Sequence, residues 1–338
     1  MRAYAGIDLH SSNNYTAIID EEDKRLFGKR LPNDLSVVLS ALDPFRAKLE
    51  GVVIESTYNW YWLVDGLQEA GYKVHLANPS AIKQYEGLKH TDDKWDSFWL
   101  AHMRRLKILP EGYIYPKEER PIRDMLRRRL LFVRHRTSHI LSFQSAVTRN
   151  LSYKISVKDI KKLRKSDAST FYEEPFLKLA AKCAISTIHF LSERIKEIEK
   201  AVMSQVKLRP EFQYLQTVPG IGKILGLTIM LEVGDINRFS EVGDYSSYCR
   251  CVKSDRETNK KKKGEGNRKN GNKYLGWAYV EAANFAIRSY PEARSFYQRK
   301  KSTTNGIVGI KALSNKLARA SYYVMRDQVP YDANHLFR

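Results

Sequence analysis

The rhythm of apolar and polar positions changes twice along this chain. Over roughly the first hundred residues, short apolar runs alternate with segments of helical period. Strands are expected over residues 3–8, 15–20, 24–29, 51–55 and 73–77, and helices over about 36–48, 60–69, 79–85 and 94–107. Three strands fit for a meander, then helix–strand–helix–strand, predict a mixed sheet with helices on its faces. From about residue 116 the strand signal vanishes. Residues 119–150 carry Arg, Leu, Phe and Val at helical spacing, with Pro121 near the start, where a helix tolerates it. A polar, Lys-rich connector follows over 151–166. In the next helix, over 176–206, Leu177, Ala180, Ala184, Ile188, Leu191, Ile195 and Ile198 recur at threes and fours. Two long helices of this kind read as an antiparallel arm or coiled coil; ordinary core packing explains the stripe equally well.

A third block opens at YLQTVPGIGKILGLTIMLEVGD. Helix, Pro-Gly-Ile-Gly turn and helix form a helix-hairpin-helix-like pattern. Gly220 and Gly222 would let a nucleic-acid backbone approach the turn, and a helix N-terminus favours a phosphate. A tight turn between packed helices is the plain alternative. The expected fold is α/β at the N-terminus, then a helical arm, then a mostly α C-terminal domain. The boundaries fall at 1–110, 111–206 and 207–338.

Charge sharpens this picture. Of 338 residues, 58 are Lys or Arg and 38 Asp or Glu, a net charge of +20. Such a surplus suggests a polyanionic partner. No apolar stretch approaches the ~18 to 20 residues that span a bilayer, so nucleic acid is favoured over lipid. The opening MRAYAGID runs directly into a strand without a signal peptide, and Cys183, Cys249 and Cys251 are too few for a disulfide framework. A cytoplasmic protein with reduced thiols is expected. Residues 253–273 hold nine Lys or Arg against three acids. That segment cannot build its own core and is expected to order around an anion. Its candidate contacts are Lys260, Lys261, Lys262, Lys263, Arg268, Lys269 and Lys273. A second basic stripe runs through Arg123, Arg127, Arg128, Arg129, Arg134 and Arg136.

Four carboxylates carry the candidate chemistry. Asp8 and Glu55 each end a buried-looking apolar run, where an unpartnered charge is costly. Asp93 and Asp96 stand three apart at a helix start, where like charges on one face need a cation. Asp92 rivals Asp93. Each acid alone is readily a solvated loop residue. Together, oxygen ligands from separate elements suit Mg²⁺ or Mn²⁺.

These residues also carry a resemblance. The series GID…VVIES…TDDKWDSFWLA and LQTVPGIG…LEVGDINRF…GNRKNGNKYLGWAYVEAA resemble the two halves of the DEDD transposases of bacterial insertion sequences. That family is related to pilin-gene-inverting recombinases, and some members use an element-encoded bridge RNA. The resemblance covers nearly the whole chain. It implies a RuvC-like, ribonuclease-H-type sheet carrying Asp8, Glu55, Asp93 and Asp96 as the tetrad. It also implies a coiled-coil arm, a homo-oligomer (dimer or tetramer), DNA as substrate, a guide RNA, and a serine nucleophile in the C-terminal domain. The family's serine precedes the glycine of a Lys-x-Gly-Asn motif, here 269–272, at a spacing that lands on Thr258. The nearest serine is Ser254, four residues earlier. The expected function is a transposase or recombinase with a hydroxyl nucleophile in 254–258. The alternatives are a metal-dependent endonuclease without a covalent intermediate, or an inactive nucleic-acid-binding relative.

Overall fold

The strands β1 (Ala3–Leu9), β2 (Asn13–Asp20) and β3 (Arg25–Pro32) form the expected antiparallel meander. β4 (Leu49–Glu55) and then β5 (Val74–Ala77) add to the other edge of β1 in parallel. The sheet order is β3-β2-β1-β4-β5, so β1 and β4 lie inside it. This explains their sequences. Ala3, Ala5, Ile7 and Leu9 of β1, and Val52, Val53 and Ile54 of β4, are all fully buried, as strands covered on both faces must be. The computed structural model describes residues 1–82, 92–206, 209–252, 255–258, 261–265 and 270–332.

Helices cover both faces. α1 (Leu35–Leu42) and α2 (Tyr61–Glu69) bury Val38, Leu42, Leu63 and Leu67 against Ile7, Leu9 and Ile54. α3 (Asp93–Arg105) buries Phe98 and Ala101 against Ala17 and Ile19, and Leu100 and Met103 against Val53 and Ala77. Side chains alternate along a strand. Gly6, Asp8, Val53 and Glu55 therefore face α3, opposite Ile7 and Ile54. The helix expected over 36–48 is shorter than its pattern, because Pro44 converts its second half into a 3₁₀ turn, Asp43–Lys48. Of the helix expected over 79–85, residues 79–82 fall within the described residues, and they hold only the short turn Pro79–Ala81.

The chain divides into two compact units, Met1–Lys117 with Ser254–Asn270, and Glu118–Lys253 with Gly271–Arg338. The expected arm and C-terminal block thus belong to one unit. It starts with α4 (Arg120–Leu151), whose Pro121 sits in the first turn, and continues through two short helices, α5 (Val157–Ile160) and α6 (Ala168–Phe171), into α7 (Pro175–Gln205). Arg129 meets Glu199 at 2.6 Å and Arg136 meets Ser192 at 3.3 Å, so α4 and α7 run antiparallel. The buried stripe of α7 runs through Ala181, Ile185, Ile188, Leu191, Ile195 and Ile198. It is one residue out of step with Ala180 and Ala184 at its start.

The remainder comprises α8 (Glu211–Leu215), α9 (Lys223–Val233), α10 (Val242–Tyr248), α11 (Lys273–Ser289), α12 (Pro291–Thr303) and α13 (Gly306–Asp327). α9 is buried from Leu225 to Val233 on all sides, and forms the centre of the largest apolar core. Within 253–273, β6 (Asp255–Thr258) and β7 (Lys261–Glu265) pair as an antiparallel hairpin. Its register sets Glu257 opposite Lys262 and Thr258 opposite Lys261. No helix among the described residues is long and apolar enough to cross a membrane.

Candidate active site

The carboxyl ends of two adjacent parallel strands and one helix start meet on the α3-covered face of the sheet. β1 delivers Asp8, which is 4 % exposed, and β4 delivers Glu55. α3 can lie close enough to bring its acids in because residue 6 is glycine. A Cβ there would stand 2.1 Å from the Ser97 carbonyl oxygen and 2.8 Å from the Ala101 nitrogen. The Ser97 hydroxyl donates to the Tyr15 carbonyl at 2.9 Å, fastening α3 to β2.

Asp92 and Asp93 have different tasks. Asp92 is the N-cap of α3; its Oδ1 accepts from the Trp95 N–H at 2.7 Å. Asp93 turns toward Asp8. One of its oxygens lies 3.1 Å from Nε2 of His10, and the other accepts from Arg30 at 2.5 Å. His10 Nε2 is also 3.2 Å from Asp8. Asp8, His10 and Asp93 each offer a ligand atom, and these atoms all lie within 4.8 Å of one another.

Electrostatics joins the other two acids to this group. Burial, then the negative charge and hydrogen bond of Asp8, then the charge of Asp96, push the Glu55 carboxyl up to about 7. Burial, followed by the charges of Asp8, Asp93 and Asp92, pushes Asp96 up to about 6. Asp8 is also raised by burial, against the opposing pull of His10 and the hydrogen bond from Glu55. Asp93 is the exception: burial would raise it, but Arg30 and the nearby His10 hold it below the ordinary value. Burial and the Asp8 charge thus both disfavour a second negative charge on Glu55 beside Asp8. Crowded, partly desolvated carboxylates with few cations facing them form a donor set for a hard divalent ion.

All four acids named from the sequence thus gather in one place. Sequence reasoning passed over His10 and Arg30. A signal for His10 existed: it stands two residues after Asp8 and so shares its face of the strand. Arg30 carries no local mark.

The other expected residues fall differently. Thr258 ends β6, in register with Lys261 of β7. Lys261, Lys263, Lys273 and Arg128 are exposed. Ser254, Lys260, Arg268 and Lys269 lie outside the described residues, and of Lys262 only the strand position is described. Several arginines of the stripe on α4 are paired or buried within the protein. Arg127 is bidentate to buried Glu232, at 2.5 and 2.8 Å, and packs over the Tyr274 ring. Arg129 is bonded to Glu199, and Arg123 is buried. These arginines turn inward, leaving Arg128 and Arg134 as the exposed members.

Gly220 has a structural reason to be glycine. Its φ is +80°, and a Cβ would stand 2.0 Å from the Ala282 carbonyl of α11. Gly222, the N-cap of α9, faces open space. Gly271, at φ +82°, approaches the Tyr248 carbonyl. Asn272 beside it caps α11 and donates to Glu232 at 2.7 Å. The Gly-Asn of the 269–272 motif is thus an anchor tied to the Arg127–Glu232 pair.

Comparison with known proteins agrees in both halves. A model of IS110-type DEDD transposases matches residues 5–150, and one described as the transposase IS116/IS110/IS902 family matches 212–298. The transposase for insertion sequence element IS1111A of Coxiella burnetii is 22% identical over 299 residues, covering 84% of this chain and 77% of that one. The insertion element IS116 uncharacterized 44.8 kDa protein of Streptomyces clavuligerus is 22% identical over 123 residues, covering 36% of this chain and 30% of its own length. With the two family matches together spanning well over half of the sequence, the chain belongs to the IS110-type family of DEDD transposases.

Proposed function

We propose that this protein is the DNA transposase of an insertion sequence, cutting and rejoining strands with a RuvC-like acid cluster and a hydroxyl nucleophile. The observation that carries the reading is the gathering of Asp8, Glu55, Asp93 and Asp96 from three separate elements, with the carboxyls of Glu55 and Asp96 raised. These residues would hold Mg²⁺ or Mn²⁺. When bound, the ion supplies positive charge to a phosphodiester and its leaving oxygen.

The chain's own groups account for the rest. The Thr258 hydroxyl, or that of Ser254, attacks phosphorus. A new O–P bond forms, the bond to one deoxyribose oxygen breaks, and the DNA end is held as a phosphoester on the protein. The hydroxyl proton passes to a carboxylate, and the departing alkoxide takes a proton from solvent or a protonated acid. Reversal of these steps on a second DNA end rejoins the strands. Lys261, Lys263 and Lys273 offset phosphate charge. An element-encoded RNA guides target choice, and a dimer or tetramer brings the DNA ends together.

The test is a denaturing gel. The protein is incubated with labelled element-end DNA, the element's flanking RNA and Mg²⁺, and a protein–DNA adduct is sought. Thr258→Ser should keep or raise the adduct, because it removes a methyl group from a crowded approach. Thr258→Ala should abolish it. An adduct lost in Ser254→Ala but kept in Thr258→Ala moves the nucleophile to Ser254.

A second reading has one observation of its own. Glu55, with its carboxyl near 7, suits proton transfer to and from water. Metal-dependent cleavage that persists without any adduct in both variants would make the protein a hydrolytic endonuclease. An inert wild type alongside an active Thr258→Ser would make it a binding relative.

A further inference from the structure

We infer that His10 is a cation ligand, and that its nitrogen gives the site a preference for Mn²⁺-class ions over Mg²⁺. The inference rests on the reading above that the acid cluster holds a divalent ion. Strand alternation is its first support. The His10 N–H donates to the Asn13 carbonyl at 2.9 Å, continuing the β1–β2 ladder one step past Leu9 and Asn14. The ring therefore emerges on the side of Asp8.

The backbone beneath it is pinned. The His10 carbonyl accepts from the side-chain amides of Asn33 and Asn59, each at 2.9 Å. The Asn59 oxygen in turn accepts from Thr57. Such support fixes a ligand's direction before any ion arrives.

The nitrogen's surroundings are the third support. Nε2 is shut off from solvent, and carboxylate oxygens of Asp8 and Asp93 lie 3.2 and 3.1 Å away. One nitrogen this close to two carboxylate oxygens is the spacing that three ligand atoms around one ion produce. Metal–ligand bonds of about 2.1 Å at right angles set neighbouring ligand atoms roughly 3.0 Å apart. Arg30 occupies the outer oxygen of Asp93 and so turns the inner one toward His10. Mg²⁺ gains little from an imidazole, whereas transition ions bind it well.

Pulsed paramagnetic resonance of Mn²⁺ bound to the full chain tests this directly. The bound ion should show coupling to one imidazole nitrogen in the wild type, a readout independent of any variant's folding. His10→Gln should abolish the coupling and weaken Mn²⁺ roughly tenfold, with Mg²⁺ changed less than about threefold. Mn²⁺ bound through Asp8 without nitrogen coupling, or equal losses for both ions, overturns the role of His10 and leaves the acid cluster standing. Mn²⁺ binding that Asp8→Asn does not change, or no binding at all, overturns the acid cluster and His10 together.

Discussion

Glu55 is where the chemistry of single residues is most exposed to measurement. Its folded carboxyl is raised from the ordinary 4.5 to about 7, so the fold prefers the protonated acid. That preference contributes fully below about 4.5 and is lost as pH rises to about 7. Asp96, raised to about 6, acts in the same direction. Without divalent ions, stability should therefore fall across this window, by on the order of 1–2 kcal/mol for Glu55 after solvent screening. Glu55→Gln should flatten the fall, and Mg²⁺ or Mn²⁺ should reverse it. Urea midpoints near pH 4.5 and pH 7 measure both effects; a wild-type curve that rises with pH would contradict the assignment. The acids themselves were legible, because a charge ending an apolar run needs a partner. The choice between Asp92 and Asp93 was not, because capping geometry separates them and no spacing does. Arg127 misled for a related reason: a helix full of arginine looks basic until buried Glu232, more than a hundred residues away, claims one of them.

At the scale of elements, the placement of α3 on β1 decides whether a site exists. Gly6→Ala puts a methyl group against the backbone of α3, with Ser97 and Ala101 unable to yield except by moving the helix. A loss of about 1–3 kcal/mol is expected, accompanied by a larger loss of strand cleavage as Asp93 and Asp96 shift from Asp8. Unchanged stability and cleavage would mean that the close approach does not matter. In the second unit, Glu232 joins α4, α9 and the Asn272 cap of α11. Glu232→Ala leaves the Arg127 guanidinium without its buried bidentate partner, and should cost about 3–5 kcal/mol, read as a lowered unfolding midpoint. Element types followed from periodicity, including both long helices nearly to their ends. The reasons for the glycines did not, since the atoms they accommodate lie about 20 to 95 residues away along the chain. The β6–β7 hairpin was also hidden, because its strands hold the composition of a solvated loop.

For the whole molecule, charge governs how nucleic acid is met. With +20 net charge, affinity for DNA or RNA should fall roughly 10³- to 10⁵-fold between about 50 and 200 mM salt if about six to ten phosphates are neutralised. Replacing exposed Lys261 and Lys263 by serine should weaken binding and reduce the slope by about one unit per lost contact. Arg127→Ser should act on stability rather than on that slope. The order of blocks, from sheet to long helices to a glycine-marked helical domain, was visible in the sequence. The joining of the arm to the C-terminal block was not, because their shared core is assembled from residues as distant as Leu126 and Val324.

If Asp8 and its neighbours form the cutting site, cleavage and binding must separate when they are changed. Single-turnover cleavage of labelled element-end DNA, with binding measured on the same samples, reads both. Asp8→Ala and Asp96→Ala should each abolish cleavage in Mg²⁺ and Mn²⁺ while leaving affinity nearly unchanged, since the acids add no attraction for phosphate. Cleavage at the wild-type rate by Asp8→Ala would contradict the account.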